Sequence, residues 1–209
     1  MCDNPAPRRD DLALWSFRSI GFVPCRPFNP SRALQKIIDD VPLLALTTMI
    51  DWSQNLGEEV NGWSLNLDVG TYGVHYLDRA VVALVGFGAN LPEDAIYPST
   101  SVDGIGQPLD GSASYRIHFA PDQIPPVDSF WSITLYTQEG FFYDNPYGQY
   151  TIHDTDMLNY NADGSLDIYL QNSPPTEPIL VPNWLPTPQS HFNLMMRMYS
   201  PQESALNGD

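Results

Sequence analysis

The candidate catalytic residues of this sequence are scattered along the chain. The most promising pair is Arg116 and His118 in the run YRIHF. Side chains of a strand alternate between its two faces, so these two share one face, opposite the apolar and aromatic residues of the run. A face with an arginine and a histidine is not a core face, so we expect both to line solvent or a cleft. There His118 could act as a catalytic base while Arg116 binds developing negative charge.

A second run, SFWSITLYT, offers side chains for the same site. One of its faces presents Ser132, Thr134 and Tyr136, and the other presents apolar residues that include Trp131. This alternation is typical of a strand with only one deeply buried side. If the run pairs with YRIHF, a hydroxyl or aromatic group joins the arginine and the histidine, and the two strands form a polar pocket floor.

Three aromatic residues are our candidates for substrate binding, namely Tyr97, Tyr136 and Trp184. Aromatic rings provide apolar area for a sugar or another ring, and tyrosine and tryptophan add a polar group at one end. Trp131 belongs to the same chemical class, but its place on the apolar face of its run makes core packing the better interpretation.

The loop LPEDAIY places Glu93 and Asp94 side by side just before Tyr97. Paired carboxylates could bind a divalent cation or take part in acid–base chemistry, so we consider Glu93 and Asp94 the candidate metal ligands. The alternative is a solvated loop with a local turn. No particular metal is indicated, and a divalent cation is the one cofactor that the sequence suggests.

The segment NADGSLD offers Asn161, Asp163 and Asp167 in an arrangement that loosely resembles a calcium loop. It lacks the distal bidentate glutamate of such loops and lies between two strand-like runs. We therefore favour a hairpin turn that uses Asp163 and Gly164.

Several common classes of protein are excluded or disfavoured. The four histidines lack HxH or HExxH spacing, the two cysteines lack the CxxC spacing of a zinc knuckle, and no GxSxG, P-loop or GxGxxG unit occurs. Aspartate and glutamate number 25 against 9 basic residues, which gives a formal net charge of -16. This field excludes a basic surface for nucleic acid and repels anionic membranes.

Neither a signal peptide nor a transmembrane segment is visible in the sequence. The N-terminal residues include Arg8 and Arg9 but no following apolar run of signal-peptide length, and no stretch approaches the roughly 20 apolar residues of a membrane span. We therefore expect a soluble chain and leave its compartment open.

Helical periodicity dominates the first half of the chain and strand periodicity the second. Ser31 can cap a helix in NPSRALQKIIDD, a second helix can begin at Pro42, and a third is expected over residues 73–88. Beyond residue 112 the runs YRIHF, SFWSITLYT, YTIHD, SLDIYLQ and FNLMMRMYS are each of strand length and are bounded by turn residues. We expect a helical arm with connecting loops over residues 1–111 and an antiparallel β-sandwich over 112–209.

The order of several segments is similar to that of a known family. PPVDSFWSITLY, NADGSLDIYLQ and NWLPTP follow one another in a specific succession, after GTYGVHYLDRAVVALVGFGAN. From about Phe17 to about Pro201 the chain resembles the domain-of-unknown-function 1214 family. The resemblance implies a mainly β, jelly-roll-like sandwich preceded by helices. It also implies that the chain corresponds to the C-terminal half of proteins that usually carry a domain-of-unknown-function 1254 before this region.

Two hypotheses of function follow from these observations. In the first, the chain is a non-catalytic module that binds a small molecule, such as a carbohydrate-like ligand, or that mediates self-association. In the alternative, it is a metal-assisted hydrolase acting on a small organic or carbohydrate-like substrate, which requires Glu93, Asp94, Arg116 and His118 to converge. We also expect a homo-oligomer, because the apolar face of the helical arm needs a surface to cover it.

Overall fold

The computed structural model describes residues 5–53 and 55–207. The chain forms two compact units. The first consists of Met1–Leu56 and Thr71–Ala89, and the second of Gly57–Gly70 and Asn90–Asp209.

The first unit is helical. A short 3-10 helix, Arg8–Asp10, precedes α1 (Asp11–Ser19), and α2 (Arg32–Ser53) and α3 (Tyr76–Val85) follow. The predicted cap at Ser31 is confirmed, because its hydroxyl accepts the backbone N–H of Leu34 at 3.2 Å.

One helix occupies the place where the sequence suggested two. Pro42 lies inside α2, which continues through it to Ser53. A proline removes one backbone hydrogen bond and crowds the carbonyl four residues earlier, here that of Ile38, but the turns on both sides keep their own bonds. The prediction that a new helix begins at Pro42 was therefore wrong.

Polar contacts tie the helices of this unit together. The indole N–H of Trp52 in α2 donates to the Asp78 carboxylate in α3 at 2.7 Å, and the Tyr76 hydroxyl donates to the Asp10 carboxylate at 2.8 Å. The side chains of α2 are poorly buried. None of its described residues is buried, and Leu43 is 72% exposed. The apolar residues of this helix therefore remain largely uncovered.

The second unit contains ten strands in two sheets. They are β1 (Glu58–Val60), β2 (Trp63–Leu65), β3 (Ala95–Ile96), β4 (Ser99–Thr100), β5 (Tyr115–Phe119), β6 (Trp131–Thr137), β7 (Thr151–His153), β8 (Leu166–Gln171), β9 (Trp184–Pro186) and β10 (Phe192–Tyr199). A short 3-10 helix, Pro178–Asn183, precedes β9, and a C-terminal helix, α4, spans Glu203–Asn207.

Strand β10 lies at the centre of the larger, seven-stranded sheet. The sheet has the order β1-β2-β4-β10-β6-β7, and β3 also pairs with β10. All of these pairs are antiparallel. The smaller sheet has the order β5-β8-β9, in which β5 and β8 are antiparallel and β8 and β9 are parallel.

All five runs that the sequence identified as strands are strands in the structure. The sequence did not reveal β1 to β4 or β9, which are two or three residues long and therefore too short to show a period. Strands β3 and β4 precede residue 112 and pair with β10. The division of the chain at that residue stays a prediction.

The two sheets share one hydrophobic core. Ile133 and Leu135 of the larger sheet belong to the same buried cluster as Ile168 and Leu170 of the smaller one. Helix accounts for 27% and strand for 24% of the chain, and the predicted mainly β architecture is confirmed, with sheets that are antiparallel except for the β8–β9 pair. A jelly-roll order of strands stays a prediction. Among the described residues, no helix combines the length and the apolar character needed to cross a bilayer.

Candidate functional site

Arg116 and His118 lie on the outer face of the smaller sheet. Both are exposed, whereas Tyr115 and Phe119 point inward and contact Phe192 and Trp131. The prediction that they share a face away from the core is confirmed. The proposed pairing with SFWSITLYT was wrong, because β5 pairs with β8, and β6 pairs instead with β10 and β7.

The partner strand brings a buried carboxylate to these two residues. His118 lies opposite Asp167 in the register, and its Nδ1 is 2.7 Å from Asp167 Oδ1. The Arg116 Nε lies 3.6 Å from the same oxygen, and the Asn161 amide donates to Oδ2 at 3.0 Å. The Asp167 side chain is 9% exposed, whereas that of His118 is 48% exposed. Asp167 therefore contacts both Arg116 and His118, whose side chains are more exposed than its own.

The charge of Asp167 also fixes the orientation of the imidazole. Burial alone raises the pKa of Asp167, but hydrogen bonds from Asn161 and His118, together with the charge of Arg116, outweigh it and lower the pKa below its usual value. An ionised carboxylate only accepts hydrogen bonds, so the proton of a neutral His118 lies on Nδ1 and its Nε2 keeps a free lone pair. This arrangement can hold an imidazole ready to accept a proton.

The segment before Asp167 turns at Asp163 and Gly164, as the sequence predicted, but it is not the expected hairpin, because the flanking strands β7 and β8 belong to different sheets. Asp163 Oδ1 accepts the backbone N–H of Ser165 at 3.0 Å and its hydroxyl at 2.7 Å, and Gly164 has a φ of 88°. These bonds to Ser165 lower the pKa of Asp163. Asp163 is therefore committed to the turn, and positive φ explains the need for glycine at the next residue.

Glu93 and Asp94 lie in an exposed turn just before β3. The backbone of Asp94 accepts the N–H of Ser200 at 2.8 Å, and its own N–H donates to the carbonyl of Leu91 at 2.9 Å. In residues 5–53 and 55–207, no three histidine, cysteine, aspartate or glutamate side chains are grouped as a metal site would require. The assignment of Glu93 and Asp94 to a cation stays a prediction.

Two of the three aromatic candidates meet at an arginine that the sequence analysis did not select. Arg197 of β10 donates to the Thr134 hydroxyl at 2.8 Å and to the Tyr136 hydroxyl at 2.6 Å. Tyr97 lies close enough to Tyr199 and Arg197 for both to affect its ionisation. We call Tyr97, Thr134, Tyr136, Arg197 and Tyr199 the Arg197 cluster.

Strand alternation explains why these residues meet. Along β10 the even-numbered residues Phe192 to Met198 are buried, so Arg197 and Tyr199 point to the outer face of the larger sheet. Arg197 lies opposite Ser132, and its side chain extends along β6 to Thr134 and Tyr136. The cluster and the Arg116–His118 pair therefore occupy the outer faces of two different sheets.

The Arg197 cluster has aromatic flanks. The Tyr136 ring stacks on Phe142 with centroids 5.3 Å apart, and the Tyr199 ring stacks on Phe130 at 4.5 Å. The Arg197 guanidinium lies 5.7 Å from the centroid of the Tyr136 ring. Arg197, Tyr136 and Tyr199 are half-buried, so they remain accessible to a ligand.

The electrostatic setting of Arg197 is unusual in this unit. Arg116 and Arg197 are the only lysine or arginine residues of the second unit, which carries most of the 25 acidic residues of the chain. Arg116 lies against Asp167, whereas no carboxylate of the described residues lies within 4.0 Å of Arg197. Burial, with Tyr199 nearby, raises the pKa of Tyr97, and the positive charge of Arg197 opposes the rise.

Trp184, the third aromatic candidate, is in a different place. Its side chain is buried, and its indole N–H donates to the carbonyl of Gln171 at 2.8 Å. Its ring packs edge to face with that of Tyr147, with centroids 4.8 Å apart. The ring is thus engaged within the protein, and its assignment to substrate binding stays a prediction.

Sequence reasoning missed Arg197 and undervalued Asp167, although a signal existed for each. Strict alternation in FNLMMRMYS puts Arg197 on the polar face, where it is the only basic residue after Arg116. In SLDIYLQ the same alternation puts Asp167 on the outer face. Neither signal indicates which strand lies alongside.

Comparison with solved structures shows the fold. A crystal structure of the VPA0106 protein from Vibrio parahaemolyticus is similar with a TM-score of 0.68 and 24% identity, and the match covers 97% of this chain and 49% of that one. The chain thus spans about half the length of that protein. A second structure, of an uncharacterised protein from Burkholderia cenocepacia, has a TM-score of 0.33 and 18% identity, over 54% of this chain and 26% of that one.

Comparison with protein families gives a more specific result than comparison with solved structures. No curated protein matches this sequence. A family model described as a protein of unknown function, DUF1214, matches residues 94–203, which include β3 to β10 and every residue of the Arg197 cluster. The chain therefore belongs to the DUF1214 family.

Proposed function

We propose that this chain is a non-catalytic module that binds a small organic ligand at the Arg197 cluster. The observation that carries the proposal is the state of Arg197: a half-buried guanidinium with no carboxylate partner among the described residues, in a unit whose charge is strongly negative. Two hydroxyl groups hold it in place, so its position does not depend on a ligand. A preformed group of this kind lowers the ordering cost of binding.

The surroundings of Arg197 are those of a small-molecule site. Such sites combine apolar and aromatic walls with a few fixed polar groups. Here the stacked pairs Tyr136–Phe142 and Tyr199–Phe130 provide aromatic surface, while Arg197 and the Tyr136 hydroxyl provide polar groups. A carbohydrate-like compound and an organic acid both combine polar groups with an apolar body, as such surroundings require.

A thermal-shift experiment with a matched control tests this proposal. The probes are benzoate, benzyl alcohol, glucose and glucuronate, each applied to the wild type, Arg197→Gln and Arg116→Gln. A ligand at 100 times its Kd adds about 2.7 kcal/mol to the stability of the native state. We expect at least one probe to raise the Tm of the wild type and of Arg116→Gln but not of Arg197→Gln. An equal rise in all three proteins, or none in any, would overturn the proposal.

The alternative function, metal-assisted hydrolysis, has one observation in its favour. The Asp167 carboxylate orients the His118 imidazole as a base of such an enzyme would require. However, two of the three candidate substrate-binding residues, Tyr97 and Tyr136, lie with Arg197 rather than with His118. We therefore place this function second.

A cation screen distinguishes the two functions. The wild type and Asp94→Asn are heated with Ca²⁺, Mg²⁺, Mn²⁺ or Zn²⁺ and with EDTA. The hydrolase hypothesis predicts that one cation raises the Tm of the wild type and that Asp94→Asn loses this gain. We expect every cation and the chelator to leave the two Tm values unchanged.

Self-association through the helical unit is the second part of the proposed function. Leu43 and Leu44 of α2 are 72% and 67% exposed, an unusual arrangement for large apolar side chains of one helix. This unit carries all of the basic residues except Arg116 and Arg197, so it lacks the strong negative charge that would repel a second copy. A second copy of the same helical unit is therefore the partner that we propose.

Light scattering after size-exclusion chromatography measures this association. We expect a mass at a multiple of 23.4 kDa. The variant Leu43→Asp should shift the mass toward the monomer, whereas Ile105→Asp, which changes a residue that is 83% exposed in the second unit, should not. A monomer for the wild type at all concentrations would contradict the proposal.

A further inference from the structure

The hydrogen-bonding groups of the Arg197 cluster are mostly donors. A guanidinium has five N–H groups, and Arg197 uses two of them to reach Thr134 and Tyr136. The remaining N–H groups have no partner among the described residues. The Tyr136 oxygen accepts one bond from Arg197, which leaves its own O–H free to donate.

The acceptors of the cluster are largely occupied by the protein itself. Thr134 Oγ1 accepts from Arg197 and donates to Thr151 Oγ1 at 3.2 Å. The Tyr97 hydroxyl donates to the side-chain oxygen of Asn90 at 2.6 Å. No carboxylate of the described residues is within ion-pair distance of Arg197. A ligand there meets a positive charge and free donors but few free acceptors.

The excess of free donors over free acceptors indicates which polar group the ligand carries. A carboxylate only accepts hydrogen bonds, and its two oxygens match the planar fork of a guanidinium. A sugar hydroxyl both donates and accepts, so a neutral sugar would leave its O–H groups without acceptors here. A phosphate dianion carries more charge than one arginine neutralises, and the acidic field of this unit opposes it.

The aromatic rings beside Arg197 indicate the shape of the apolar part of the ligand. Phe142 stacks on Tyr136 and is tilted toward Tyr150 with centroids 5.4 Å apart, and its side chain is largely exposed. On the other flank, Phe130 stacks on Tyr199. Exposed ring edges and faces next to a charged group favour a planar apolar body on the ligand.

We propose that the ligand of the Arg197 cluster is a monocarboxylate with an aromatic ring. This inference rests on the proposed binding function and narrows it from small organic molecules in general. The carboxylate pairs with the free N–H groups of Arg197 and accepts from the Tyr136 hydroxyl, while the ring lies against Phe142 or Tyr199.

Isothermal titration of the whole chain with four probes tests the ligand class. Benzoate has both the ring and the charge, benzyl alcohol only the ring, cyclohexanecarboxylate the charge on a non-planar body, and glucose neither. We expect benzoate to bind at least about tenfold more tightly than each of the other probes. Each of those lacks either the charge for a bidentate pair with Arg197 or the planar ring for stacking.

Two conservative variants and one control complete the test. Arg197→Lys keeps the charge but loses the fork and should weaken benzoate binding about tenfold. Tyr136→Phe removes one donor and should weaken it several-fold, which provides a second test if Arg197→Lys does not fold. Arg116→Lys should bind benzoate as the wild type does, because Arg116 lies on the other sheet.

The outcomes separate the ligand class from the binding function. If glucose or benzyl alcohol binds more tightly than benzoate and Arg197→Gln abolishes that binding, the ligand class is wrong and the proposed function stands. If no probe binds, or if benzoate binds equally well to Arg197→Lys, Tyr136→Phe and the wild type, both proposals fail.

Discussion

Replacing Asp167 by asparagine keeps the shape of a buried side chain and removes its charge. In the wild type, one carboxylate oxygen accepts from His118 at 2.7 Å and the other accepts from Asn161 at 3.0 Å. An asparagine has one oxygen and one NH₂ group, so one of those two neighbours would face a donor instead of an acceptor. The variant therefore loses a charge-assisted hydrogen bond and its attraction to Arg116.

The size of the loss follows from the surroundings. A hydrogen bond to a charged group contributes roughly 1.5–3 kcal/mol. Asp167 itself is buried, but the side chains of His118 and Arg116 are 48% and 60% exposed, so water screens their part of the interaction. We expect Asp167→Asn to lower the free energy of unfolding by about 2 kcal/mol at pH 7.

The same change predicts a pH dependence of definite sign. The pKa of Asp167 in the folded protein lies below its ordinary value of 3.8. A lowered pKa contributes stability above the unfolded-state value, and this contribution disappears as the pH falls through the folded-state value. The difference between wild type and Asp167→Asn should therefore be complete at pH 7 and pH 5, and should shrink as the pH falls below about 4.

Urea unfolding followed by circular dichroism measures both effects. The control is Asp122→Asn, because Asp122 is exposed and has no described side-chain hydrogen bond or ion pair. It should unfold as the wild type does at each pH. A variant Asp167→Asn as stable as the wild type at pH 7, or a deficit that persists unchanged at pH 3, would refute the reasoning.

Three further changes test other parts of the fold. Ile168→Ala empties a fully buried position between the two sheets and should cost about 2–5 kcal/mol in urea unfolding, whereas a cost well under 1 kcal/mol would contradict the shared core. Gly111→Ala places a methyl group against the Pro188 carbonyl oxygen and should cost about 1–3 kcal/mol, while Gly104→Ala, which meets nothing within 4 Å, should be nearly neutral in the same assay. Trp52→Phe removes the hydrogen bond to Asp78 that joins α2 to α3 and should cost about 1 kcal/mol, as thermal unfolding of the variant would show.

The positions of strands and turns could be read from the sequence because they depend on neighbouring residues. Alternation over five to eight residues identified β5, β6, β8 and β10, and the Asp163–Gly164 turn follows from side-chain bonds within a few residues. The same alternation correctly placed Arg116 and His118 away from the core. The conformation of the chain at Pro42 was less predictable, because the cost of a proline depends on how well the rest of the helix holds together.

The pairing of strands was beyond the sequence, and with it the composition of each candidate site. His118 and Asp167 are 49 positions apart, and Tyr136 and Arg197 are 61 apart. A period of two residues specifies which side of a strand a residue occupies, but it does not specify which strand lies next to it. The structure therefore gave His118 a carboxylate partner in place of the expected hydroxyls, and it moved Tyr136 to a different sheet.

By itself, the sequence determined the mainly β class, the outward placement of the polar strand residues, the family, and the strongly negative net charge. These properties are set by composition and by short-range periodicity, which every segment carries independently of the others. Only the tertiary structure decided that Asp167 joins His118 and that Arg197 joins Tyr97 and Tyr136. Such contacts depend on sheet register, which is fixed when the two inner faces pack into one core.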